Sequence, residues 1–267
     1  MDENTNVPVV SAAEAEKLAC EVKFLLDAGR VMEGERLTEE FRALFGLGEE
    51  AQAIDVVYLE TADKAFIAEG WVNRIRWKEG KKKAERTYKK RYIVDGGDEA
   101  AVAAALRQAE AEGFVPGAGG YEAELDWGYA KMTLSLTHGS AGAFKGYQSL
   151  GQFSAEDAVA FFEKTMPGEE RDWGEENWAA STLGRAQLFG PIRILRYRGH
   201  WDGVGVTAEL CPVGDGQTVA ELSFKADDWK AAAGTRERLL AFLDGRGILI
   251  HGDSLKTQAV LSACLLA

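Results

Sequence analysis

The residues best suited to chemistry are concentrated in one stretch. Trp71 to Arg91, WVNRIRWKEGKKKAERTYKKR, carries Arg74, Arg76, Lys78, Lys81, Lys82, Lys83, Arg86, Lys89, Lys90 and Arg91. That is 10 of the 31 Lys and Arg residues, in a chain whose formal net charge is -12. Cations gathered against an acidic background point to an anionic partner. Guanidinium forks match phosphate oxygens two at a time, so a polyphosphate suits this composition. Other runs supply carboxylates: Glu21, Glu122, Glu124, Asp126, Glu209 and Glu221. Carboxylates are oxygen ligands for hard cations such as Mg2+ or Mn2+.

The elements that must position these groups read as strands. Residues 71–78 and 84–93 flank the turn EGKKK and form a hairpin. Arg74, Arg76 and Lys78 share one face, opposite Ile75 and Trp77. Thr87, Lys89 and Arg91 share a face of the second strand, while Tyr88, Lys90 and Tyr92 make a less clean opposite face. Residues 18–26 and 54–60 are two further strands. In the first, Ala19, Glu21 and Lys23 oppose Cys20, Val22 and Phe24. YEAELDW (121–127) and KMTLSLT (131–137) alternate and form another hairpin. Three later runs follow the rule, with Arg196 and Arg198 on one face of 192–198, Thr207 and Glu209 on one face of 204–210, and Glu221, Ser223 and Lys225 on one face of 218–225. Helices are expected at 34–46, 61–70 (a short one), 97–113, 154–164, 227–247 and 254–266, with Ser154 capping the fourth. Residues 1–12 read as a loose tail, 138–184 as an enlarged connection, and GEERDWGEENW within it as a surface excursion.

Composition narrows the class. A chain of 267 residues buries one sizeable core, as one large domain or two small ones. A pI near 4.9 argues against general nucleic-acid binding. Cys20, Cys211 and Cys264 lie far apart with no C-x-x-C spacing, which supports neither a zinc knuckle nor a redox motif, and their odd number fits a reducing cytosol. His138, His200 and His251 are scattered, so no histidine metal site is expected. MDENTNVPVV lacks the character of a signal peptide, and no apolar run approaches the roughly 18 residues that span a bilayer. The expectation is a cytoplasmic protein without a membrane partner.

A single strand with one apolar and one charged face is most simply half of a solvated antiparallel sheet with helices on its apolar side. The sum of the strands reads differently. Charge recurs at nearly every strand centre, with basic groups outnumbering acidic ones. About eight such strands curled into a barrel enclose one face as a lumen. A charged lumen is costly unless it stays wet and binds something charged.

These residues resemble the CYTH superfamily, the triphosphate tunnel metalloenzymes. Glu21-Val-Lys23 resembles the E-x-E-x-K strand. YLETADKAFIAEGWVNRIRWKEG resembles the strand and short helix that lead into an R-x-R strand, and ERTYKKR resembles the T-x-K strand after it. VAELSFK and SLKT resemble the closing strand and the C-terminal lysine region. The likeness covers most of 17–262 in order. It implies one α+β tunnel domain over 1–267: an eight-stranded antiparallel β-barrel with helices packed on the outside. Members of the family hydrolyse triphosphates, cyclise ATP or cap RNA. By position, Arg74, Arg76, Lys89, Arg91, Arg196 and Arg198 would grip phosphates, joined by Lys225. Glu21, Glu221 and Glu209 would hold metal, and Lys23 would sit beside the phosphates as part of the catalytic set. Ala19 and Ser223 stand where the pattern has carboxylates, which weakens or moves divalent binding. Glu122 and Glu124 are the residues to compensate, or to orient or deprotonate a water.

Three functions follow. The first is metal-dependent hydrolysis of a small-molecule triphosphate or polyphosphate. The second is a tunnel that binds such a compound without turning it over. In the third, the hairpin, above all Lys81, Lys82 and Lys83 at its tip, docks an acidic partner or RNA.

Overall fold

A computed structural model describes residues 18–114, 120–143, 147, 149–214, 216–253, 257, 260 and 261. The tail expected at 1–12 and most of the helix expected at 254–266 lie outside the described residues.

Strands β1 (Ala19–Leu26), β2 (Met32–Glu33), β3 (Arg36–Leu37), β4 (Gln52–Glu60), β5 (Trp71–Lys78), β6 (Lys83–Val94), β7 (Tyr121–Trp127), β8 (Met132–Ala143), β9 (Gln187–Trp201), β10 (Val204–Gly214) and β11 (Gln217–Ala226) are interleaved with helices. The helices are α1 (Ala28–Val31), α2 (Glu39–Leu44), α3 (Ala65–Ala68), α4 (Glu99–Ala111), α5 (Ala155–Glu163), α6 (Gly168–Arg171), α7 (Trp178–Leu183) and α8 (Trp229–Asp244). β2 and β3 form a small separate ribbon, which takes residues from the helix expected at 34–46 and leaves only 39–44 helical.

The other nine strands close a barrel in the order β1-β11-β10-β9-β4-β5-β6-β8-β7. The expected count of eight is therefore corrected to nine, and the all-antiparallel expectation fails at one seam. There β1 runs parallel to β7, pairing Ala19 with Glu124 and Glu21 with Asp126. Alternation shows which face a residue takes, but not which strand will be its neighbour.

Apolar burial outside the barrel drives the fold. Val22, Phe24, Ile75, Tyr88, Leu134 and Leu222 point outward into one continuous core. α4 covers it with Val102, Ala105, Leu106 and Ala109, and α8 with Trp229, Ala232, Leu239 and Leu243. Asp98 caps α4 by accepting from Ala101 N at 2.9 Å, and Asp228 caps α8 by accepting from Lys230 N at 2.8 Å. α5 carries the expected capping box, in which Asp157 N donates to Ser154 Oγ at 3.0 Å.

The inside is not charged throughout, as the strand pattern had implied. Ile54, Val56, Tyr58, Val72 and Ile194 line the lumen and join Ile192, Cys211, Val213, Val260 and Leu261 in a second apolar cluster. Each such aliphatic side chain contributes about 1.5–3 kcal/mol on full burial, which offsets part of the cost of enclosing charge. The GEERDWGEENW excursion is also corrected. Its Glu170 is fully buried, and Trp173 packs edge-on against Trp71. Among the described residues no helix is long and apolar enough to cross a membrane.

Candidate active site in the barrel lumen

A cavity of about 1440 Å³ takes in the lumen and extends past the barrel wall to Lys90, Tyr92, Glu112 and Trp173. Every expected site residue except Arg198 lines it. Arg198 lies on β9 two residues beyond Arg196, is exposed, and has no part in the lining.

One wall is acidic. The parallel seam of β1 and β7 brings the carboxylates of Glu21, Glu124 and Asp126 within 4.8 Å of one another. Lys23 Nζ bridges two of them, at 2.6 Å from Asp126 Oδ1 and 2.8 Å from Glu21 Oε2. Lys89 Nζ donates to Asp126 Oδ2 at 2.9 Å, and Ser135 Oγ donates to the same oxygen at 2.6 Å. Lys225 pairs with Glu124. Burial alone would raise the Asp126 carboxyl, but the charges of Lys89, Lys23 and Arg91 outweigh it and hold the group well below its usual range. Burial pulls Lys23 down, yet Asp126, Glu21 and Glu221 outweigh it and raise the ammonium. In Lys89 burial wins. Despite Asp126, and helped by Arg91 and Lys23, it lowers the ammonium to about 8.

The facing wall is cationic. Arg74 and Arg76 from β5, Arg91 from β6 and Arg196 from β9 line it. Arg196 Nε donates to Glu209 Oε1 at 2.6 Å, so Glu209, expected as a metal ligand, is bound to an arginine. Arg76 Nη2 lies 3.2 Å from Glu85 Oε2, and Lys78 Nζ lies 2.6 Å from Glu85 Oε1. The buried Nε atoms of Arg74, Arg76 and Arg91, and Nη1 of Arg91, have no hydrogen-bond partner among the described residues. The Arg74 charge first, and burial second, push Arg76 down to about 10. Donors left unserved in a like-charged wall are costly, and anionic oxygens would satisfy them.

The remaining residues divide by position. Glu221 lines the cavity within electrostatic reach of Lys23. Glu122 lines it from an exposed rim position. Lys81, Lys82 and Lys83 are exposed at the turn. Lys90 points out of the barrel, where its Nζ sits 3.6 Å from the Trp173 ring centroid and donates to the Glu69 carbonyl. Sequence reasoning left Asp126 out of the site. Its alternation with Glu122 and Glu124 was the available signal.

The donor set fits a hard divalent cation. Three carboxylates converge, all their donor atoms are hard oxygens, and a single ammonium, that of Lys23, bridges Glu21 and Asp126.

A closed barrel with helices outside, a cationic wall and an acidic wall define a CYTH-like tunnel fold. No family model matches the chain, and no curated protein matches it by sequence. Solved structures do match. One is an adenylyl cyclase candidate from Hippeastrum described as having a dominant triphosphatase activity, with 14% identity over 91% of this chain and 94% of that one and a TM-score of 0.56. Another is an adenylate cyclase candidate from Bacillus halodurans, with 14% identity over 91% of this chain and 96% of that one and a TM-score of 0.51. These likenesses establish the fold.

Proposed function

We propose that the chain is a single tunnel domain that hydrolyses a triphosphate or polyphosphate compound with a divalent metal, Mg2+ or Mn2+. The observation that carries the reading is the pairing of Glu21, Glu124 and Asp126 with the arginine wall across one cavity. Arg74, Arg76, Arg91 and Arg196 bind and orient the anionic chain, and their unserved donors take its oxygens. Glu21, Glu124 and Asp126 hold the metal, with Glu221 in reserve on β11. When bound, the metal offsets negative charge on the phosphate oxygens. Lys23 and Lys89 keep Asp126 ionised and stand where the anion meets the acidic wall. With Glu124 on the metal, Glu122, which also lines the cavity, orients or deprotonates a water. The dominant triphosphatase activity of the Hippeastrum protein supports this choice among the chemistries of the fold.

The test is phosphate release from tripolyphosphate and from organic triphosphates, with Mg2+ or Mn2+, in wild type, Glu124→Gln and Arg74→Ala. Turnover that needs the metal and falls at least about a hundredfold in both variants is expected. No release from any of these compounds by folded protein overturns the reading.

One observation favours a second reading, a tunnel that binds without turnover. Asp126 is already engaged by Lys23, Lys89 and Ser135. In that case tripolyphosphate raises the melting temperature without being consumed, and Ala19→Glu with Ser223→Glu creates activity.

A further inference from the structure

The buried group that the site leaves unexplained is Glu170, on the outer side of the barrel. Both it and Asn73 of β5 are sealed from solvent, at 0% and 1% exposure. Asn73 Nδ2 donates to Glu170 Oε1 at 2.7 Å. The other oxygens of the two groups, Asn73 Oδ1 and Glu170 Oε2, are buried and have no donor among the described residues. An ionised Glu170 would leave two acceptors unserved and a buried charge without a counter-ion. One proton on Oε2 would remove the charge, and with Oε1 already held by Asn73 Nδ2 it would be a donor for Asn73 Oδ1.

We infer that Glu170 and Asn73 form a two-point acid–amide latch, closed while Glu170 holds a proton, that fastens the 165–184 segment to the outer wall of β5.

Among the described residues, the cations nearby are committed elsewhere. β5 contributes Trp71, which packs against Trp173. On β6, Arg86 is committed to the Phe161 carbonyl and ring, and Lys90 to the Glu69 carbonyl and the Trp173 ring. The Tyr88 hydroxyl donates to the Phe162 carbonyl. β7 and β8 contribute Tyr121 and His138, whose rings meet at a tilt of 54°, with His138 tilted against Tyr88 as well. On the segment itself Glu169 adds negative charge, and Arg171 pairs with Asp172 in solvent. Burial raises Glu170 from 4.5 to about 8, and the Asn73 hydrogen bond opposes the rise only in part. The closed state therefore keeps a proton that the open state releases. Between pH 4.5 and about 8 the latch weakens about tenfold per pH unit, and above that it weakens no further.

The test compares wild type with Glu170→Gln from pH 5 to 9. The glutamine amide offers the same two hydrogen bonds with no proton to lose. The readout is proteolytic cleavage within 165–184, corrected with an unfolded substrate for the protease's own pH profile. Cleavage of wild type should rise about tenfold per pH unit up to about pH 8, while that of the variant stays flat. Parallel profiles overturn the inference. Should the variant fail to fold, infrared spectroscopy of wild type decides. A carboxylic-acid C=O band that titrates near pH 8 supports the latch, and no such band at pH 6 overturns it.

Discussion

Arg76→Met should make the empty protein more stable and a ligand-bound protein less so. Arg76 shares a lumen face with Arg74, and that neighbour, followed by burial, lowers its guanidinium from 12.5 to about 10. At about 1.4 kcal/mol per pH unit, keeping this proton in the folded chain costs about 3 kcal/mol. The side chain is 26% exposed, so screening by solvent reduces the cost to about 1–2 kcal/mol. The lost contact with Glu85 is a partly exposed pair that subtracts less than about 1 kcal/mol, and Lys78 still holds Glu85 at 2.6 Å. A methionine keeps the stem and buries no unserved Nε. The net is a gain of about 1 kcal/mol, or a rise of about 2–4 °C in Tm. The assay is thermal unfolding with and without millimolar tripolyphosphate. Wild type should show the larger rise on adding the anion, since mass action stabilises only a state that binds it. Arg198→Met is the control, because Arg198 lies outside the cavity and should change neither value. A variant less stable than wild type when empty, or one that keeps the full anion-induced rise, refutes the reasoning. The wider principle is that binding sites keep groups that destabilise the unliganded fold.

Asp126→Asn should cost about 3 kcal/mol in urea unfolding at pH 7, because it leaves two lumen ammonium groups without their shared carboxylate. The folded-state pKa of Asp126 is depressed, so its contribution is present above about pH 3.8 and is lost as pH falls below that, and the gap to the variant should close in acid. Gly128→Ala should cost about 2–4 kcal/mol, since its Cβ would stand 1.9 Å from Asp253 Oδ1 and would expel that carboxylate. Asp253 accepts from the backbone N–H groups of Tyr129, Ala130 and Lys131, so Asp253→Ala should cost about as much and the double variant little more, as read from chemical denaturation.

Much of this was legible because period-2 alternation is local. Glu21, Lys23, Arg74, Arg76, Lys89, Arg91, Glu124 and Arg196 each follow from the face of their own strand, and the cavity lining contains all of them. What escaped depended on partners distant in sequence. Glu170 sits in an acidic, polar-looking stretch, and only its meeting with Asn73, 97 residues earlier, makes it a buried group. Lys90 looked like a flaw in the hairpin's apolar face until Trp71, Tyr92 and Trp173 surrounded it. The apolar half of the lumen was hidden because Val56 and Ile194 read as ordinary core residues whichever way they face. Arg198 obeys the alternation of β9 but lies too far along the strand for the cavity to reach it.

Strand order decides the charge geometry. Ala19 leaves β1 one carboxylate short, but the residue across the parallel seam is Glu124, and Glu21 faces Asp126. On the other side of β1, Ser223 stands opposite Lys23 and adds no acid. The carboxylates have therefore gathered on the β1–β7 seam. From there β8 is the only strand before β6, and it presents Ser135 between Glu124 and Arg91, and Thr137 between Glu122 and Lys89. Hydroxyl groups thus divide the acidic wall from the cationic one. In the other direction β11 and β10 present Glu221 and Glu209 before Arg196 on β9. A phosphate chain lying across this lumen would meet arginines on the β9, β5 and β6 side and the clustered carboxylates of Glu21, Glu124 and Asp126 on the other. Its orientation would be set by the closure of the barrel at a seam that pairs two strands about a hundred residues apart.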